Sequence, residues 1–207
     1  MADISPGQYP TTPSLQAVNF KINTPTITSE TNSGKIRRVG YGHSYYSFDV
    51  KYPNLTASQL GEVTGFLATT MGPLFSFEIV LPEISVSKSP LSTSANNTCA
   101  TNSTVAVGQR YVPLTGLDTS TTVLKAGDFF RFNNHSKVYM VTQDLTSNSS
   151  GVANLQFSGS CVSSVPVGTK LWVNGVPFTV IVTEPEQTFD ASYGGISTLS
   201  VSMREVW

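Results

Sequence analysis

The alternation of apolar and polar residues is clearest between Tyr45 and Pro82, where a helical period lies between two strand-like segments. A period of two indicates a strand with one buried face and one exposed face. The apolar residues of the two segments are Tyr46, Phe48, Val50 and Tyr52, and then Leu74, Phe75, Phe77, Ile79 and Leu81. We therefore predict a strand on each side of a short helix.

The helix is predicted over about residues 56–70. Thr56 and Gln59 have the spacing of a capping box, in which each side chain bonds the backbone N–H of the other residue. Gly72 and Pro73 continue a helix poorly and are predicted to end it. The apolar face consists of Leu60, Val63, Phe66 and Leu67. Because an isolated helix of this length is marginal in water, we expect it to pack on a sheet.

The first 35 residues are rich in proline, threonine and serine, and their prolines exclude a regular helix. We interpret them as an arm that gains structure by packing on its own subunit or on a neighbour. Within the arm, the segments AVNFKIN and PTITSET each predict a short strand. The turn residues between Thr31 and Lys35 predict a hairpin that leads into Ile36–Val39.

The middle of the chain predicts a separate group of short strands. A polar stretch from Ser85 to about Ser103 has no periodicity and marks a boundary. After it, short strands recur about every ten residues with turn residues between them, which is typical of a small barrel or sandwich. Asn133 with Asn134 predicts one hairpin turn, and Asn174 with Gly175 predicts another between LWV and VPFTVIV.

Long alternating strands return after Phe178 and again around Leu199–Met203. These strands would be half-exposed alone, so we expect them to complete the sheet begun before the middle segment and to pack on the helix. The fold class is therefore mainly β: an antiparallel β-sandwich or barrel with one packed α-helix, plus an inserted small all-β domain. The predicted division is a discontinuous domain of residues 1–90 and 169–207, with residues 91–168 inserted as a small β-barrel or sandwich.

The composition argues against a charged partner. Of 207 residues only 12% are charged, and the net charge is −1. Such a surface has no field to attract nucleic acid or an anionic membrane, so no sequence-specific nucleic acid and no membrane partner are expected. Low net charge favours association. We expect no secretory signal, because MADISPGQYP lacks a basic region followed by an apolar one.

No catalytic, cofactor-binding or metal-binding residue is predicted, and no cofactor is expected. The chain has neither a nucleophile elbow nor a phosphate-binding glycine loop. His43 and His135 have no second ligand at metal-binding spacing. Glu184 and Glu186 are the nearest approach to a carboxylate pair, but solvated glutamates of a loop are the simpler interpretation, and Asp128 reads as a turn cap.

Two cysteines, Cys99 and Cys161, lie near the ends of the inserted segment. They are either two buried thiols or a disulfide that closes this segment.

Four segments resemble the distal tail or baseplate-ring proteins of double-stranded DNA bacteriophages. They begin at YPTTPSLQAVNF, YPNLTASQLGEV, LKAGDFFRFNNH and NGVPFTVIVTEP, and together they span most of the chain. The resemblance implies a non-enzymatic structural protein of the virion, assembled in the host cytoplasm. It implies a homo-oligomeric ring, usually a hexamer, that joins the tail tube to baseplate hub or fibre proteins. DNA would pass through the ring lumen, and the inserted domain would project outward.

Two alternatives remain open from the sequence. One is a receptor-binding or carbohydrate-binding module of the virion, in which Tyr41, Tyr45, Trp172 and Tyr193 provide stacking rings. The other is a tail-tube or capsid-decorating subunit. The basic residues Lys35, Arg37 and Arg38 are either a solvated cluster beside a turn or a surface that meets DNA or a tube partner.

Overall fold

The computed structural model describes residues 6–89, 98–188, 190–191 and 197–207. In these parts the chain is mainly β with a single helix, which confirms the predicted fold class. The predicted linker and the first residues of the inserted segment fall partly within 90–97, outside the described residues. Tyr193 also lies outside the described residues.

The elements fall into three groups along the chain. The first contains β1 (Ala17–Asn23), β2 (Thr26–Glu30), β3 (Ile36–Gly40), β4 (Tyr45–Lys51), α1 (Ala57–Thr70) and β5 (Phe77–Ile79). The second contains β6 (Ala100–Thr101), β7 (Tyr111–Thr115), β8 (Thr122–Leu124), β9 (Phe129–Phe132), β10 (Val138–Met140), β11 (Leu145–Thr146), β12 (Ala153–Gln156) and β13 (Leu171–Trp172). The third contains β14 (Phe178–Val182), β15 (Asp190–Ala191), β16 (Ser197–Thr198) and β17 (Ser200–Glu205).

The principal sheet has five antiparallel strands in the order β1-β4-β17-β14-β5. Strands β14 and β17 lie between β4 and β5, so the end of the chain fills the gap left by the strands before and after the helix. This arrangement confirms that the C-terminal strands complete the sheet. It also shows that the strands on either side of α1 are not paired directly.

The helix spans Ala57–Thr70, close to the predicted range of about 56–70. Thr56 and Gln59 form the reciprocal capping box. The C-cap is Met71, which has φ 49° and ψ 48°, and the Phe75 N–H bonds the Thr70 carbonyl at 3.1 Å. Residues 71–75 therefore form a turn, and the predicted strand from Leu74 was too long because regular pairing starts only at Phe77.

The principal sheet and the helix share one hydrophobic core. Val63 and Leu67 are buried on the helix, while Leu60 and Phe66 pack partly buried against the same cluster. The other buried members include Tyr46, Phe48, Val50, Phe77, Ile79, Phe178, Val180, Val182, Val201 and Met203. The inward positions of the alternating strands are thus the ones that the sequence pattern indicates.

The middle of the chain builds a second hydrophobic core from short sheets. Their strand orders are β10-β9-β13, β12-β7-β6 and β11-β8. The buried residues include Val112, Leu114, Phe130, Phe132, Tyr139, Leu155, Phe157 and Leu171. Strands β9 and β10 form the hairpin predicted at Asn133 and Asn134.

The hairpin predicted at Asn174 and Gly175 was wrong. Strand β13 pairs with β9, whereas β14 pairs with β17 and β5, so the two strands flanking this turn belong to different sheets. Val173 is buried in the second core and Val176 in the first. The turn therefore leads the chain from one core to the other. Burial of Val173 in one core and Val176 in the other outweighs the local hairpin preference of Asn174–Gly175.

Residues near the predicted domain boundaries cross between the two cores. Phe129 and Val138 come from the middle of the chain but are buried in the first core, and Leu171 follows residue 168 but is buried in the second. The division at residues 90 and 168 stays a prediction. The two cores themselves are joined by side chains from both sides.

Candidate assembly surfaces

The hairpin formed by β2 and β3 stands away from both cores. All ten of its strand residues are exposed. Ile27 pairs with Val39, and Ser29 pairs with Arg37, so these four side chains share one face. Ile27 is 57% exposed and Val39 is 64% exposed. We call this surface the apolar hairpin face; the opposite face carries Thr28, Glu30, Ile36 and Arg38.

The two edges of the principal sheet differ. At one edge, β1 pairs with β4 on its inner side, and among the described residues no strand pairs with its outer side. At the other edge, the arm covers β5 through a parallel bridge between Gln8 and Glu78. The Tyr9 ring is buried against Phe66 and Phe77. The beginning of the arm, around Gln8 and Tyr9, therefore packs on its own subunit, and β1 forms the bare edge.

A groove of about 230 Å³ lies beside the C-terminal end of α1. We call it the helix-end groove; its lining residues are Thr64, Leu67, Ala68, Met71, Gly72, Pro185 and Gln187. Met71 is 62% exposed there. No basic residue occupies the last turn of the helix, so the partial negative charge of the helix end is not offset within that turn.

A buried ion pair joins the middle of the chain to the principal sheet. The Lys137 ammonium donates to a carboxylate oxygen of Glu205, and the Tyr46 and Val138 N–H groups donate to the same carboxylate at 3.1 and 2.9 Å. The two side chains are 3% and 0% exposed. Burial lowers the pKa of Lys137 and raises the pKa of Glu205, while their mutual attraction opposes both shifts. The pair thus replaces the solvation that burial removes.

A second polar link lies nearby. Arg131 Nη1 donates to a carboxylate oxygen of Glu78 at 2.7 Å and to the Pro177 carbonyl at 3.2 Å. Arg131 belongs to β9 of the middle segment, and Glu78 belongs to β5 of the principal sheet. Two ion pairs therefore set the orientation of the middle segment against the principal sheet.

A polar cleft of about 390 Å³ lies at the base of the β2–β3 hairpin. His43, Ser44, Arg110 and Ser160 line it together with residues of the hairpin base. The His43 ring bonds Ser160 Oγ at 3.2 Å and stands edge-on to the Trp207 ring at 6.5 Å. His43 therefore takes part in a local contact between the principal sheet and the middle segment.

The other candidate residues from the sequence are dispersed. His135 bonds Asn134 Oδ1 and the Tyr139 hydroxyl, both at 2.9 Å. The Asp128 carboxylate is buried and accepts bonds from Ser87 Oγ and from the Lys88 and Lys125 N–H groups, each at 2.8 Å. It thus caps a turn, as the sequence indicates. In the described parts of the chain, no three His, Cys, Asp or Glu side chains are placed to hold a metal ion.

Glu184 and Glu186 lie on an exposed loop that follows β14. Pro185, which separates them, lines the helix-end groove, and Gln187 bonds both of their carbonyls. The loop that carries both glutamates therefore forms one side of the helix-end groove through Pro185 and Gln187.

Three of the four proposed stacking rings, Tyr41, Tyr45 and Trp172, lie in the described residues. Tyr41 is exposed beside the hairpin, Tyr45 lies under the Arg204 guanidinium at 4.1 Å, and Trp172 is in β13. No ring contact joins these three among the residues that the structure describes.

The cysteines are buried and are not joined in a disulfide. Burial raises the pKa of the Cys99 thiol to about 11, and it also raises the pKa of Cys161. The buried-thiol interpretation is therefore the correct one. Across the described residues, no helix is both long and apolar enough to cross a membrane.

Sequence reasoning missed the Lys137–Glu205 pair, although a signal for half of it is present. Leu199, Val201 and Met203 face inward along the C-terminal strand, and the same alternation places Glu205 inward. A carboxylate at an inward position requires a buried partner. The pattern does not reveal that the partner is Lys137, because that residue is 68 positions away in the sequence.

The chain is similar to the distal tail protein pb9 of Escherichia phage T5. The two sequences are 25% identical over 196 residues, which cover 92% of this chain and 91% of that protein. The resemblance to phage distal tail proteins is confirmed. No family model matches the chain. The similarity to pb9 supports a structural role in a phage tail, and it extends over both the principal sheet and the middle segment.

Proposed function

We propose that this protein is a non-enzymatic structural component of a phage tail, where it forms a ring at the distal end between the tail tube and the baseplate hub or fibres. The observation that carries the proposal is the similarity to pb9 over nearly the full length of both proteins. The protein would act within the virion after assembly in the host cytoplasm.

The two unlike edges of the principal sheet support a head-to-tail ring. The bare outer side of β1 and the adjoining hairpin lie at one edge, while the arm and β5 lie at the other. A contact between two different surfaces of identical subunits repeats around an axis and closes into a ring when the rotation per subunit allows it. We propose six copies, in keeping with the ring that the resemblance implies.

The basic side chains of the hairpin have a place in this arrangement. Lys35, Arg37 and Arg38 are exposed on and beside the hairpin, and none of them forms an ion pair among the described residues. A hairpin that points toward the ring axis would bring them near DNA passing through the lumen, which they would contact through phosphates without reading sequence. The middle segment would then project outward, held by Lys137–Glu205 and Arg131–Glu78.

Native mass spectrometry and negative-stain microscopy of the purified protein test the ring. We expect a closed ring of one defined copy number, and antibody labelling of virions at the tail tip. A matched variant replaces residues 27–39 with Asn-Gly. It should fold with an unchanged unfolding midpoint, because the hairpin is exposed, and it should lose the ring. Labelling on the head or along the tube wall would contradict the proposed position.

A further inference from the structure

We propose that the polar cleft at the base of the β2–β3 hairpin binds a phosphate monoester. The cleft has a volume of about 390 Å³, which is within the range of small-molecule sites. One side consists of the end of β1, the hairpin base, His43 and Ser44, and the other consists of Arg110 and residues 158–160 of the middle segment. The inference goes beyond the proposed tail function and does not depend on ring formation.

The charge of the cleft is positive. Arg110 lines it, and no aspartate or glutamate is among its lining residues. Four ion pairs form within the described parts of the chain, and Arg110 belongs to none of them. A guanidinium is always charged, and its planar fork of N–H groups matches two oxygens of a phosphate or a carboxylate. The cleft therefore favours an oxyanion over a neutral or cationic ligand.

His43 supplies a second nitrogen donor, from the principal-sheet side of the cleft. Its Nδ1 lies 3.2 Å from Ser160 Oγ, and the Trp207 ring stands edge-on to the imidazole at 6.5 Å. A Ser160 hydroxyl that donates to Nδ1 leaves the proton of the neutral ring on Nε2. Among the residues that the structure describes, Nε2 has no hydrogen-bond partner, so its N–H group is available to a ligand.

The two sides of the cleft approach each other closely at Ser44 and Gly159. Gly159 has a φ of 80°, and a Cβ at this position would lie 2.6 Å from Ser44 Oγ. Glycine therefore permits both the backbone conformation and the close approach. The hydroxyl groups of Thr24, Ser44 and Ser158 belong to lining residues as well. The cleft thus combines a guanidinium and an imidazole with several hydroxyl groups.

This set of donors favours a phosphate over a carboxylate. A phosphate monoester offers three strong acceptor oxygens around a tetrahedral centre, whereas a carboxylate offers two in one plane. Donors from two sides of a cleft can reach different oxygens of the same phosphate. The charge-assisted hydrogen bonds from Arg110 are expected to be the strongest of them.

A ligand in this cleft would contact both the principal sheet and the middle segment. It would add a third polar link to the ion pairs Lys137–Glu205 and Arg131–Glu78, which cross the same boundary. Because a ligand that binds only the folded chain shifts the unfolding equilibrium, it would also stabilise the protein.

Isothermal titration calorimetry of the full-length protein tests the site, in a phosphate-free buffer at constant ionic strength. The probes are inorganic phosphate, glycerol phosphate, glycerate and glycerol. We expect saturable binding of both phosphates at one site per chain, weaker binding of glycerate and no binding of glycerol. Saturation by glycerate without either phosphate, or by inorganic phosphate without glycerol phosphate, would overturn the assignment of a phosphate monoester.

Variants of the lining residues locate the binding. Arg110→Gln should weaken the binding of glycerol phosphate about tenfold or more, because it removes charge-assisted hydrogen bonds. His43→Phe keeps a ring beside Trp207 but removes the nitrogen donor, and it should cause a smaller loss. The matched control is Lys170→Gln, which removes an exposed charge of the middle segment outside the cleft and should leave the affinity unchanged.

Thermal unfolding gives an independent measurement of the same site. Glycerol phosphate should raise the unfolding midpoint of the parent protein and of Lys170→Gln, but not that of Arg110→Gln. Equal weakening by Arg110→Gln and Lys170→Gln would show a general charge effect and would overturn the site. Absence of saturable binding in the millimolar range would also overturn it and would leave the proposed ring untouched. Unchanged midpoints of the variants without ligand establish that misfolding is not the cause.

Discussion

At the scale of single residues, the most consequential side chains are charges that the fold has buried. Glu205 accepts hydrogen bonds from Lys137, Tyr46 and Val138, and Lys137 also lies 4.7 Å from the Tyr46 ring centroid and 4.5 Å from that of Trp207. A buried charge without a partner is costly, so each member of the pair requires the other. The pair spans β17 and the segment before β10, and it therefore fixes one against the other.

Removing one member of this pair should destabilise the protein strongly. We expect Lys137→Met to lower the free energy of unfolding by about 3–5 kcal/mol, because it leaves the Glu205 carboxylate buried and unpaired. The double variant with Glu205→Leu should cost less than the sum of the two single changes. Urea denaturation measures each value. As a control, Lys21→Met breaks an exposed pair with Asp49 and should change stability by less than about 1 kcal/mol.

His135 should make stability depend on pH. Burial, followed by the nearby positive charges of Arg131 and Lys137, lowers the pKa of this imidazole to about 4. The unfolded chain has a His pKa of about 6.5 and therefore binds the proton more readily. The contribution of neutral His135 to the free energy of unfolding is complete above pH ~6.5. It is lost as the pH falls from 6.5 toward 4.

The variant His135→Gln isolates this effect, since an amide can still bond the Tyr139 hydroxyl. Thermal unfolding midpoints measured between pH 7 and pH 4 should fall more for the parent protein than for the variant. Parallel curves would show that His135 protonation is not coupled to folding.

At the scale of elements, the arm explains why one edge of the sheet is closed. Tyr9 is buried against Phe66 and Phe77, with ring centroids 5.3 and 5.4 Å away, and its N–H bonds the Glu78 carbonyl at 2.7 Å. The arm is irregular, yet it covers the short strand β5 and one side of the helix. The arm stabilises this edge through the buried Tyr9 ring and a few backbone hydrogen bonds.

Substitution of Tyr9 should expose this dependence. Tyr9→Ala should lower the free energy of unfolding by about 3–5 kcal/mol, because it removes a large buried ring. Tyr9→Phe keeps the ring and should change stability by less than about 1 kcal/mol, since the Tyr9 hydroxyl has no hydrogen-bond partner among the residues that the structure describes. Chemical denaturation measures the free energy of unfolding of both variants and of the parent protein. Equal losses in the two variants would assign the effect to the hydroxyl instead.

Elements whose signals are local were predictable from the sequence. The capping box of Thr56, the β2–β3 hairpin and the alternation in β4 and β17 are each encoded within a few neighbouring residues. The hairpin predicted at Asn174–Gly175 does not form, because its flanking strands belong to different sheets. The helix-end groove was not predictable, since it joins α1 to a loop more than 100 residues later.

At the scale of the whole molecule, the two hydrophobic cores are coupled. Phe129 from the middle segment contacts the rings of Phe20, Tyr46 and Phe178 in the first core. The ion pairs of Lys137 and Arg131 cross the same boundary. The separate group of short strands is visible in the sequence, but the packing that joins it to the rest of the molecule depends on contacts that no local pattern encodes.

This coupling predicts a single cooperative unfolding transition. Trp172 lies in β13 of the middle segment and Trp207 lies against Lys137 at the end of the principal sheet, so each reports on one side. Fluorescence of Trp207→Phe and Trp172→Phe variants in urea should give coincident midpoints. Lys137→Met should separate the two curves if the ion pair carries the coupling, and two transitions in the parent would contradict it.

The bare outer side of β1 also bears on the time between synthesis and incorporation. An unpaired strand edge is a template for any extended peptide, so in the proposed ring newly made subunits would be exposed to misassociation and aggregation until a neighbour covered this edge. Lys21 is the one charged residue of this strand, and a charge within an exposed strand disfavours aggregation. Its replacement by an apolar residue should leave the finished particle intact while reducing the yield of soluble subunits from overexpression.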